Sequence, residues 1–165
     1  MPTSNLSEEI VRLATRVVEE NKAAGRRIAL AESCTGGLVA AAITEIPGSS
    51  AVLDRGFVTY SNAAKQEELG VAPDIIEAFG AVSVACVYAM AQGALKHGGA
   101  DVAVAISGVA GPDGGTEEKP VGTVVFARAT PGQEKPEAES RLFEGQDRAG
   151  VRLQATLCAL ELLLP

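Results

Sequence analysis

The sequence has 165 residues, 47% hydrophobic and 21% charged, enough for one domain with a substantial core and with nothing to suggest a second. A net charge of −7 and the lack of any long Lys/Arg run argue against nucleic-acid binding as the main role, while leaving room for a small basic pocket. Three scattered cysteines, no CxxC and a single histidine argue against a disulfide framework or a structural zinc site. Abundant Ala and Gly with no Trp point to tight aliphatic packing, as in a layered α/β protein. Met1-Pro2-Thr3-Ser4-Asn5 lacks the basic start of a signal peptide, and no run of about 18 apolar residues could span a bilayer, so a cytoplasmic protein is expected.

Leu6, Ile10, Leu13 and Val17 mark an amphipathic first helix, with Asn5 and Glu8 as a capping-box variant and Gly25 as its stop. Ile28-Ala29-Leu30-Ala31 reads as a short buried strand, and Leu38 to Ile43 reads as a helix that ends before Pro47. Between them lies Glu32-Ser33-Cys34-Thr35-Gly36-Gly37, a strand-to-helix corner. Backbone N–H groups are free there to bind an anion or to support an activated hydroxyl. The plainer alternative is that Ser33 or Thr35 caps the helix and the glycines allow close packing.

A strand is expected from Phe57 to Tyr60, then a helix capped by Ser61 or Asn62 and closed by Gly70. Lys65 falls in that helix's first turn, where the dipole disfavours a cation and would lower an amine's pKa; the alternative is a solvated surface lysine. Pro73 opens a further helical turn up to Phe79. Ser83 to Lys96 forms a long Ala-rich helix with Val84, Val87, Tyr88, Ala91 and Leu95 spaced for burial. The lone histidine, His97, sits at its end before two glycines, which argues against a Ser-His-Asp triad.

Asp101 to Ile106 is the best central strand, and it runs into Ser107-Gly108-Val109-Ala110-Gly111-Pro112-Asp113-Gly114-Gly115-Thr116. That loop is longer than a plain turn needs and its backbone can approach a ligand closely; it is neither a Walker A loop nor a GxGxxG entering a helix. Val121 to Arg128 and Glu139 to Phe143 read as two antiparallel strands. The closing helix offers Val151, Leu153, Leu157, Leu160 and Leu164 to the core, with Arg148 and Arg152 one turn apart. The expected fold is a three-layer α/β/α sandwich with a mixed sheet of about five or six strands, forming one domain over residues 1–165.

Four of these segments, taken together and in order, resemble the C-terminal domain of the CinA (competence/damage-inducible) family. They are Ala31 to Gly37, Tyr60 to Lys65 with Leu69-Gly70-Val71, Ile106 to Pro112 with Gly114-Gly115-Thr116, and Lys119 to Val124. The resemblance spans nearly the whole chain, in the stand-alone form that lacks the additional N-terminal domain of many members. It implies a nicotinamide-nucleotide amidohydrolase that converts nicotinamide mononucleotide to nicotinate mononucleotide and ammonia. By position, Ser33 matches the family's nucleophile, Lys65 the lysine that activates it and Tyr60 the tyrosine associated with the pair. Ser107 stands where relatives often carry Thr, and Arg148 matches an arginine near the start of the last helix, although Gln146-Asp147-Arg148 departs from the expected Gly-Asp-Arg.

The chemistry agrees. With no usable histidine, a Ser-Lys pair is the available way to attack an amide, and N–H groups such as those of Cys34 or Thr35 could stabilise the oxyanion. The expected catalytic set is Ser33, Lys65 and Tyr60, and the substrate-binding set is Thr35, Gly36, Ser107, Gly108, Gly111, Gly114 and Arg148. No metal or cofactor is implied. The expected partner is a small-molecule nucleotide, with no nucleic acid and no membrane, and a homodimer is left open. Two rivals stand beside this reading: Cys34 as the nucleophile, its thiolate favoured at a helix start, and a non-catalytic nucleotide-binding or regulatory domain.

Overall fold

The computed structural model describes residues 4–165, so the reading of Met1-Pro2-Thr3 lies outside the described residues. The elements in chain order are α1 (Glu8–Ala23), β1 (Ile28–Glu32), α2 (Leu38–Thr44), β2 (Leu53–Val58), α3 (Asn62–Leu69), α4 (Pro73–Phe79), α5 (Val84–Lys96), β3 (Val102–Gly108), β4 (Thr123–Ala129), β5 (Glu137–Leu142) and α6 (Arg148–Leu162). One five-stranded sheet has the order β2-β1-β3-β4-β5. β1 runs parallel to β2 and β3, whereas β4 is antiparallel to both β3 and β5, so the sheet is mixed.

Side-chain alternation along the strands builds two different cores. Ile28, Leu30, Val104, Ile106 and Phe126 face α1, α2 and α6, and Ala29, Ala31, Ala103, Ala105 and Ala127 face α5. Small residues on that second face let α5 lie close to the sheet. α3 in turn lies close to α5, because Gly93 has no side chain where any Cβ would run into the Leu69 carbonyl. No described helix is long and apolar enough to cross a membrane.

Several boundaries differ from the sequence expectation. The cap of α1 is Ser7, which accepts from Ile10 N–H, and not Asn5. β2 begins at Leu53 rather than Phe57; it is an edge strand, half exposed, so its first residues carry no apolar signature. β4 starts two residues late and β5 spans Glu137–Leu142. On α5, Val84 is exposed, and Cys86, Met90, Gly93 and Ala94 join Val87 and Ala91 in the buried face. A helix that packs over a sheet buries more of its circumference than a single stripe.

Candidate active site

The parallel pairing of β1 with β3 brings Ser33 and Ser107 to the same end of the sheet, the carboxyl end where open α/β sheets collect ligands. Ser33 continues the ladder by donating its N–H to the Ile106 carbonyl at 2.9 Å. On the other side of β1, Thr59 N–H donates to the Glu32 carbonyl, which carries the chain to Ser61, the cap of α3. One turn into α3, Lys65 points back under the sheet end and is buried to 1% exposure; Ser33 is buried to 6%.

Lys65 Nζ lies 3.1 Å from Ser33 Oγ, 2.8 Å from the Thr59 carbonyl and 3.2 Å from the Tyr60 carbonyl. As an ammonium, Lys65 donates to all three oxygens; as a neutral amine it donates to the two carbonyls and turns its lone pair to the Ser33 hydroxyl proton. Burial pushes the Lys65 pKa below its ordinary value, and the nearby Cys86 and Cys34 thiols only partly oppose this. Of the two causes expected from sequence, the helix-start position and desolvation, it is desolvation that lowers the value. No ion pair joins Lys65 to a carboxylate among the described residues.

Neither Ser33 nor Thr35 caps α2. Glu32, buried at the strand end, does so: its carboxylate accepts from the N–H groups of Gly37, Val39 and Ala40 at 3.0–3.2 Å. The anion position at this helix start is thus filled from within the chain. Cys34 is also unlike its sequence expectation. Burial raises its thiol pKa to about 11, and the Arg152 charge only partly offsets the effect, so the thiolate that a nucleophile requires is scarce at neutral pH.

A cavity of about 330 Å³ opens above the pair, bordered by Ser33, Tyr60, Lys65, Ser107, Gly108, Gly111, Gly114 and Arg148. Arg148 ties its rim together by donating to the Gly111 carbonyl at 2.7 Å and to Tyr60 Oη at 3.1 Å. Thr35 and Gly36 stand apart from the other predicted residues and do not border the cavity. Thr35 is fully buried with its hydroxyl unpartnered, and Gly36 takes a positive φ of 59° that closes the turn.

Sequence reasoning missed Asn62, Val82 and Asp113 on the cavity wall, along with the Glu32 cap of α2 and the contacts of Arg152 with the Cys34 and Thr35 carbonyls. Glu32 stood directly before the serine and Arg152 one turn after Arg148, but only the folded contacts distinguish them from surface charges. A second hollow of similar size, between the end of α5 and the β4–β5 turn, has no paired nucleophile and base among its residues. His97, at the end of α5, bonds the Gly93 carbonyl and packs on Phe57.

The CinA C-terminal domain family model matches residues 10–165. The nicotinamide-nucleotide amidohydrolase PncC of Enterobacter agglomerans is 57% identical over 143 residues, covering 87% of this chain and 86% of that one. The protein of the same name from Escherichia coli K12 is 54% identical over 155 residues, covering 94% and 93%. Among solved structures, the competence/damage inducible protein CihA from Agrobacterium tumefaciens superposes with a TM-score of 0.93 at 44% identity, covering 98% of this chain and 97% of that one. With matching helix and strand order, matching sequence over nearly its full length and the same sheet, the chain belongs to the CinA C-terminal domain family.

Proposed function

We propose that the chain hydrolyses the carboxamide of nicotinamide mononucleotide, giving nicotinate mononucleotide and ammonia, with Ser33 as nucleophile and Lys65 as its base. The observation that carries this reading is the buried Lys65 amine, 3.1 Å from Ser33 Oγ and held by two carbonyls, at the floor of a cavity. The names of the relatives described above support the same substrate.

In the proposed reaction the Ser33 hydroxyl proton passes to the Lys65 lone pair as Oγ bonds to the carboxamide carbon. The oxyanion of the tetrahedral intermediate is stabilised by the N–H of Cys34, which borders the cavity beside Ser33. That group donates to no oxygen acceptor among the described residues, whereas the N–H groups of Ser33, Gly36, Gly37, Leu38, Val39 and Ala40 are all committed, and Thr35 is fully buried away from the cavity. As the C–N bond breaks, Lys65 returns the proton to the leaving nitrogen and ammonia departs, leaving a nicotinoyl ester on Ser33. Water then gives a proton to Lys65 and attacks the ester, and Ser33 recovers its proton as nicotinate mononucleotide leaves.

Tyr60 and Arg148 form the rim that receives the nucleotide, and Ser107 with Gly108, Gly111 and Gly114 forms the wall opposite. One chain supplies every residue of this scheme. The reading is of a cytoplasmic enzyme of small nucleotides, consistent with the net charge of −7 and the lack of a basic run. The test is ammonia release from nicotinamide mononucleotide by the wild-type chain beside Ser33→Ala and Lys65→Ala. Turnover in the wild type alone is expected; a wild type that binds the nucleotide without releasing ammonia would make this a binding domain.

A further inference from the structure

Arg152 lies on α6, outside the pair and outside the cavity rim, and spends its guanidinium on the backbone of the nucleophile corner. Its Nε donates to the Cys34 carbonyl at 3.0 Å and one terminal nitrogen donates to the Thr35 carbonyl at 3.3 Å. It makes no ion pair among the described residues. A charged donor bound to two consecutive peptide carbonyls restrains both peptide planes, and a planar fork does this better than an ammonium.

The consequence follows from peptide geometry. In a trans peptide the C=O and the following N–H point in opposite directions, so holding the Thr35 carbonyl toward α6 turns the Gly36 N–H back into the corner. The neighbouring plane is held as well: the Gly36 N–H donates to the Ser33 carbonyl at 3.0 Å, which turns the Cys34 N–H outward. Gly36 takes a positive φ that disfavours any other residue, while a Cβ built there would meet an Arg152 terminal nitrogen only at an ordinary contact distance of 3.5 Å.

We propose that Arg152 is a positioning residue: by gripping the Cys34 and Thr35 carbonyls from α6 it holds the turn in which the Gly36 N–H fixes the Ser33 carbonyl, and so keeps the Cys34 N–H aimed at the acyl oxygen. The proposal rests on the amidohydrolase reading above. It acts through the backbone, so its loss lowers the rate of bond formation without weakening nucleotide binding.

The experiment measures kcat and KM for nicotinamide mononucleotide in the wild type, Arg152→Lys and Arg152→Ala, with melting curves to establish folding. The expected result is a kcat lower by about 100-fold in Arg152→Ala and about 10-fold in Arg152→Lys, with KM within about twofold. Added methylguanidinium should restore part of the Arg152→Ala rate. A raised KM at unchanged kcat would overturn the proposal and make Arg152 a substrate ligand, and unchanged constants in both variants would overturn it outright. If Arg152→Ala does not fold, Arg152→Lys decides by the same split of kcat and KM. If the wild type fails to turn over this nucleotide, the reading of the substrate falls, and the rate of Ser33 labelling by a fluorophosphonate decides for Arg152. Slower labelling in Arg152→Lys then supports the positioning role, and equal labelling, or none in the folded wild type, overturns it.

Discussion

The corner after β1 and the loop after β3 border the same cavity but are held in opposite ways. From Ala31 to Thr35 the corner is buried, its carbonyls are gripped by Arg152, and the helix start beyond it is closed by the Glu32 carboxylate. The loop from Pro112 to Glu118 is exposed throughout, and the groups that fasten it lie toward its ends, where Arg148 meets Gly111 and Lys119 meets the Phe79 carbonyl. The difference teaches a division of labour. Stabilising a developing charge requires dipoles that do not reorganise, whereas enclosing a ligand tolerates a segment that adjusts.

The sharpest way to break this contrast is at the rigid side. Lys65→Met should keep the fold and lower kcat by about 1000-fold or more, as expected when an activating base is removed, measured by ammonia release. In the wild type the same amine sets a pH dependence. Because burial lowers the Lys65 pKa, the neutral base is present below the ordinary lysine range, so kcat/KM should rise with pH around a midpoint below 10.5. A midpoint at or above that value would show that Lys65 titrates like a solvated lysine and stays protonated at neutral pH, which would remove it as the base. The sign for stability follows. Between the lowered folded value and the ordinary unfolded one, the unfolded chain binds the extra proton, so this site's contribution rises with pH across that window.

A smaller effect is expected one residue before the nucleophile. Glu32→Ala removes the carboxylate that accepts from three amides at the start of α2, and should cost about 2 kcal/mol in denaturant unfolding, with a parallel loss of kcat. On the loop side, Gly114→Ala strains a backbone held at φ 85°, where the added Cβ would meet Val109 at an ordinary 3.7 Å. It should raise KM by about threefold to tenfold and leave kcat near the wild-type value, by steady-state kinetics. The smallest change is expected for Cys34→Ala. A thiol raised to about 11 does not supply the nucleophile, so turnover should stay within about threefold of wild type; abolition of turnover would transfer the role from Ser33 to Cys34.

Legibility in the sequence followed the range of the interactions concerned. The strand-to-helix corner, the Ser61 cap that sets the start of α3, the buried β3 and the glycine-rich loop are written in neighbouring residues. Periodicity and cap chemistry therefore determined where Ser33, Lys65 and Ser107 fall in their elements. The mixed sheet and the exclusion of His97 from the site were legible for the same reason. Tertiary structure alone decided the rest. The start of β2 depends on pairing with β1 and has no apolar pattern of its own, since an edge strand is half solvated. Thr35 reads like any corner hydroxyl until packing buries it. Arg152 and Cys34 are 118 residues apart, and a bond over that distance leaves no local signature, because it exists only once α6 has docked beside the corner.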